Sequence, residues 1–87
     1  MSLLNAIDNY YERLVAEAVE ASRTEGDAED FLADVMCVAL NRLPSRYYRF
    51  AIDMSFYLAD QELEEMKEKA RVAVAEARAF VGSHSRE

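Results

Sequence analysis

The chain has 87 residues, with 17 Asp and Glu against 10 Lys and Arg, a formal charge of −7, and 52% apolar beside 31% charged residues. This is the balance of one folded soluble domain rather than a disordered segment, and so acidic a chain is a poor general binder of duplex DNA, which needs many Lys and Arg contacts to phosphate. A single cysteine, Cys37, excludes an internal disulfide, and a single histidine, His84, excludes the familiar zinc-ligand spacings.

No run of 18 apolar residues is present, and the N-terminus lacks a basic stretch followed by an apolar one. The expectation is a cytoplasmic protein with no membrane span and no export signal. A domain of this size buries a modest core. With neither disulfide nor metal to add stability, a homodimer is the expected support, with a monomeric three-helix bundle as the alternative.

Glycine and proline are scarce, which predicts long helices: Gly26, Gly82 and Pro44 are the only ones. The first helix is predicted from about Leu3 to Ser22, with Leu4, Ile7, Tyr11, Leu14, Ala18 and Ala21 on one face. Arg23 to Ala28 reads as a loop, with Asp27 positioned to cap the next helix. The second helix is predicted from Glu29 to Arg42 or Leu43. Its apolar residues, Phe31, Leu32, Val35, Met36, Val38, Ala39, Leu40 and Leu43, cover most of the circumference, so it should be buried on more than one side. Cys37 falls in this run and reads as a buried, unreactive small hydrophobe. Pro44 ends the helix.

Arg46 to Leu58 is rich in aromatic and β-branched residues, including Tyr47, Tyr48, Phe50, Ile52, Phe56 and Tyr57. It reads as a short extended segment, strand or coil, whose edge the twin segment of a dimer could pair with. The third helix is predicted to begin at Asp60 as N-cap. Its core stripe is Leu63, Met66, Ala70, Ala73, Ala77 and Val81, Glu65–Lys69 is an i, i+4 pair, and Gly82 is its stop. The domain core is thus about residues 3–81, with a flexible tail over 82–87. The predicted class is mainly α, a small three-helix domain with a short extended segment after helix two, forming a homodimer.

No acidic residue lies between Asp34 and Asp53, and within that stretch Arg42, Arg46 and Arg49 stand close to Tyr47 and Tyr48. In so acidic a protein a small cationic and aromatic island is a candidate site for a compact anion. Arg supplies bidentate, charge-assisted hydrogen bonds to phosphate, and Tyr supplies stacking faces for bases. Asn41 could read a base edge or close the helix end. The candidate site is therefore Asn41, Arg42, Arg46, Tyr47, Tyr48 and Arg49.

Structural roles compete for each of these residues. Arg42 could complement the helix dipole. The tyrosines could be packing residues of a dimer, and Arg46 could pair with Glu12 or Asp34. Enzymatic chemistry lacks its parts: Cys37 has no nearby histidine in sequence, the carboxylates of helix three read as a solvated face, and there is no glycine-rich phosphate loop. The expectation is a protein that is not an enzyme and needs no cofactor.

Two segments carry a family resemblance. Asn9-Tyr10-Tyr11-Glu12, and Asp34-Val35-x-x-Val38-Ala39-Leu40-Asn41-x-Leu43-Pro44-x-Arg46-Tyr47, resemble the late-competence ComFB family. That family shows an N-terminal Asn-x-x-Glu and then Asp-Val/Ile-x-x-Leu-Ala-Leu-Asn-x-Leu-Pro-Pro-Arg/Lys-Tyr. Ser45 replaces the second proline here. The acidic opening Asp60-Gln61-Glu62-Leu63-Glu64-Glu65-Met66 is also similar, so the resemblance spans roughly residues 5 to 80. It implies a small, mostly helical dimer that binds a cyclic dinucleotide and acts on competence, type IV pili or motility through a downstream protein. Members with cysteines just before the signature aspartate are associated with zinc. Phe31, Leu32 and Ala33 stand there in this chain, so zinc is not carried over. The sequence does not choose between cyclic di-GMP and cyclic di-AMP, and the alternative reading is a ligand-free dimeric adaptor whose acidic third helix engages a basic protein partner.

Overall fold

The computed structural model describes residues 3–50, 52–54 and 58–84. Three helices longer than two turns form one small domain: α1 (Tyr10–Ser22), α2 (Glu29–Asn41) and α3 (Asp60–Ser83). A two-residue strand precedes α1, β1 (Asp8–Asn9), and another follows α2, β2 (Tyr47–Tyr48). Among the described residues no helix is long and apolar enough to cross a membrane.

The first helix starts seven residues later than its apolar spacing predicts. Leu3–Ala6 forms only a 3-10 turn, and Asn9 in extended conformation takes the N-cap, its side chain accepting from the Tyr11 N–H. An Asn side chain that satisfies a free helix-end donor favours the cap over the helix interior. Leu4 and Ile7 are therefore lost to the core and are 80% and 43% exposed. The buried face of α1 is instead Tyr11, Leu14, Val15 and Val19, while Ala21 is exposed.

Asp27 does not cap α2; Ala28 occupies that position without a side-chain bond. Asp27 closes the turn, its carboxylate accepting from the Thr24 N–H at 2.9 Å and both its oxygens accepting from Arg78 Nη2 on α3 at 2.9 and 3.0 Å. Arg78 also lies over the Phe31 ring, 5.3 Å from its centroid. One acidic side chain thereby joins the α1–α2 turn to the last third of α3.

Helix α2 buries Leu32, Val35 and Ala39, and Phe31, Met36, Val38 and Leu40 pack in part against the same core. Cys37 is exposed, contrary to the expectation from its apolar neighbours. Two residues past Val35, it is turned by about 200° around the helix, away from the buried stripe.

Strand β2 pairs antiparallel with β1, Asn9 opposite Tyr47 and Asp8 opposite Tyr48. The expected edge from a dimer twin is thus supplied by the chain's own N-terminal segment. Residues 52–54, expected from the sequence to be extended, instead make a helical turn that buries Met54. Phe56 and Tyr57 of the anticipated extended segment, and residues 85–87 of the tail, lie outside the described residues.

Helix α3 has 24 residues, about 36 Å of helix, nearly twice the length of either partner. Ala59 rather than Asp60 is its N-cap residue, and Asp60 and Glu62 lie in its positively polarised first turn. Met66, Ala70, Ala73, Val74 and Ala77 are buried, close to the predicted stripe, and the small alanines let α1 and α2 approach closely. Among the described residues the ion pairs within the helix are Glu64–Lys67 and Glu68–Arg71, whereas Glu65 accepts from Gln61 instead of pairing with Lys69. The helix continues past Gly82 to Ser83, and His84 stacks on Phe80 at 4.1 Å instead of trailing free. Each helix touches the other two, around Val15, Val35, Ala39, Ala70 and Ala77.

Candidate functional site

The strip from Asn41 to Arg49 crosses from the end of α2 to the sheet. Asn41 is the exposed last residue of α2, and the Arg42 N–H donates to the Ala39 and Leu40 carbonyls as the helix closes. Pro44 prevents continuation. The chain then reaches Arg46, whose backbone is held on both sides: its N–H donates to Asn9 Oδ1 at 2.8 Å, and its carbonyl accepts from the Tyr10 N–H at 2.7 Å. Asn9 thus serves α1 and β2 with one oxygen. The start of the first helix and the arginine of the signature are parts of one hydrogen-bonded corner.

The side chains of the island do not converge. The Arg46 guanidinium donates to Glu62 Oε1 at 2.9 Å, and both side chains are partly exposed, 41% and 44%. Its partner is therefore Glu62 rather than Glu12 or Asp34. Arg42 turns toward the other half of α3: it lies 5.0 Å from the centroid of Phe80 and 4.0 Å from Glu76. Glu62 and Glu76 are roughly 21 Å apart along the helix. Arg42 and Arg46 consequently flank Pro44 in separate grooves, one of about 380 Å³ shared with Leu43, Val72 and Glu76, the other of about 260 Å³ shared with Ser45, Glu62 and Lys69.

Tyr47 and Tyr48 alternate as strand neighbours do. Tyr47 is 60% exposed, whereas Tyr48 packs edge-on against Tyr10, 5.7 Å between centroids. Tyr48 thus has a packing role and Tyr47 a free ring face. Arg49 is exposed with its guanidinium 5.0 Å above the Phe50 ring, and among the described residues it has no carboxylate partner. Tyr47, Arg49 and Phe50 make an exposed cationic and aromatic patch next to the Arg46 groove in sequence.

Several residues that line this region lie outside the predicted site. Tyr11 forms the floor of the Arg46 groove, and burial pushes its phenol above the ordinary value, with Arg46 opposing and Glu62 adding to the rise. Glu62, Glu65 and Lys69 line the same groove, which thus carries two carboxylates beside Arg46 and Lys69. Glu62 and Lys69 stand seven residues apart on α3, two turns on one face, together with Met66. That periodicity was readable, but which groove it faced was not. No group of three His, Cys, Asp or Glu side chains is arranged to hold a metal ion among the described residues, and Leu32, two residues before Asp34, belongs to the core.

Among curated proteins and among solved structures no match was found. The family model described as Late competence development protein ComFB matches residues 8–85. That range begins at β1, takes in the Asn9 cap, the Asp34–Tyr47 signature and the Arg46 corner, and runs to the end of α3. The chain therefore belongs to the ComFB family.

Proposed function

We propose that this chain is a cytoplasmic receptor for a cyclic dinucleotide, cyclic di-GMP or cyclic di-AMP, that works as a homodimer and regulates competence, type IV pili or motility through a downstream protein. It catalyses no reaction. Its output is a changed surface or a changed conformational equilibrium on binding. Arg46 is the principal phosphate contact, Arg49 the second, and Tyr47 a stacking face for a base. Arg42 and Asn41 lie at the far side of Pro44 and reach a ligand only if it spans that turn, or if a second protomer brings its own strip alongside.

The observation that carries this reading is the Arg46 corner. Its backbone is fixed by Asn9 and Tyr10, while its side chain stands half-exposed at a groove that also holds Ser45, Lys69 and the carboxylates of Glu62 and Glu65. A cation on a fixed backbone with a half-exposed head is suited to binding an anion at low ordering cost. The homodimer is supported by the exposed apolar residues Leu3, Ile7, Phe50 and Ile52, which flank β1 and β2.

The test is isothermal titration calorimetry with each dinucleotide on nucleotide-stripped protein of measured oligomeric state. The expected result is micromolar or tighter binding of one of them at one ligand per dimer. One specific observation favours the other reading, a ligand-free adaptor: Arg42 and Arg46 each already face a carboxylate of α3, as internal links would. Absence of heat at several temperatures with both ligands, together with no competition in an independent assay, would establish the adaptor and remove the receptor.

A further inference from the structure

We propose that Glu62 is an internal competitor at the anion site, its carboxylate holding the Arg46 guanidinium where a ligand phosphate would sit. This rests on the phosphate-binding reading of Arg46. Carboxylate and phosphate are the two anions that the guanidinium fork accepts best, and they use the same donors. Glu62 engages one of those nitrogens, Nη2, at 2.9 Å, which leaves the remaining donors open to an incoming anion.

Three features make the exchange feasible. The pair is partly exposed on both sides, so separating it disturbs no core contact and costs little. The Arg46 backbone is fixed by Asn9 and Tyr10, so the guanidinium moves on its own stem without unravelling β2. Lys69 lines the same groove with no ion pair among the described residues, and although Glu65 lines it too, Arg46 and Lys69 together leave it net positive once Glu62 has swung away. The device acts as a threshold: a weakly held single anion does not displace Glu62, whereas a ligand with two phosphates and stacking contacts does.

The experiment titrates cyclic di-GMP and cyclic di-AMP into wild-type protein, Glu62→Gln and Glu64→Gln at one ionic strength. Glu64 pairs with Lys67 and lines neither groove flanking Pro44, so its substitution makes the same change in net charge without touching Arg46. Glu62→Gln is expected to tighten binding by roughly three- to tenfold, and Glu64→Gln by less than about twofold. In the Arg46→Ala background, Glu62→Gln is expected to lose most of its effect, because the competition passes through that guanidinium. Unchanged or weaker binding by Glu62→Gln, with wild type still binding, overturns the competitor role and leaves the receptor intact. Equal gains from both glutamines also overturn it, assigning the effect to net charge. Failure of all three proteins to bind either ligand overturns the receptor reading and this inference together.

Discussion

Replacing Asn9 tests the link between the first helix and the signature arginine. Its Oδ1 accepts from the Tyr11 N–H at 3.2 Å as the N-cap of α1, and from the Arg46 N–H at 2.8 Å across a separation of 37 residues. Losing an N-cap side chain costs about 1 kcal/mol, and losing a second hydrogen bond at a half-buried site about 0.5–1.5 kcal/mol more. Asn9→Ala should therefore destabilise by about 2 kcal/mol. In a domain of this size that lowers Tm by roughly 8–16 °C. Asn9→Asp retains an acceptor at both donors and adds a negative charge at the helix N-terminus, so it should stay within about 0.5 kcal/mol of wild type. Urea unfolding followed by far-ultraviolet circular dichroism reads both, with the slope expected to be unchanged. The dinucleotide affinity of folded Asn9→Ala should fall as well, since the Arg46 backbone loses one of its two anchors. An alanine variant within about 0.5 kcal/mol of wild type, or an aspartate variant as unstable as alanine, would refute the shared-acceptor account.

Arg46→Ala should weaken dinucleotide binding tenfold or more, as expected for a charge-assisted contact, while apo Tm hardly moves because the Glu62 pair is partly exposed; calorimetry and thermal melting on the same preparation check this, and an unfolded apo protein would contradict it. Val35→Ala removes two methyl groups from a side chain with no exposed surface and should cost about 2–3 kcal/mol, whereas Cys37→Ala on the opposite face of α2 should change stability by less than about 0.5 kcal/mol. The Thr24 N–H, and after it Arg78, hold the Asp27 carboxyl below its ordinary value of 3.8. A native value below the unfolded one means that the contribution is fully present above about 3.8 and is lost as the pH falls through the lower native value. The stability difference between wild type and Asp27→Asn, measured in urea from neutral pH down through that window, should be constant at first and then shrink; a difference independent of pH would sink this account.

The three helices, the stop at Pro44 and most of the α3 stripe were legible in the sequence because they depend on local periodicity and on backbone rules that act over a few residues. Met66, Ala70, Ala73 and Ala77 fall where helical spacing places them. The family could also be read, since Asp34 to Tyr47 is a contiguous signature and the family match covers it. The start of α1 is not legible in the sequence because apolar spacing continues through Leu4 and Ile7, while the deciding factor is the Asn9 oxygen, whose second donor lies 37 residues away. Cys37 is exposed although its sequence neighbours are apolar, because neighbours in sequence are not neighbours around a helix.

What the sequence determined by itself was the presence of three main helices, the proline stop after the second, and a cationic and aromatic strip that follows it. What only the tertiary structure decided was where that strip's side chains go. Pairing of β2 with β1 fixes the Arg46 backbone, and the length of α3 brings Glu62 to one arginine and Glu76 to another, roughly 21 Å apart along the helix. Local preference is set by each residue's own backbone and its immediate turn. The partner of a charge is set by how three helices pack, and that depends on contacts between segments far apart in the chain.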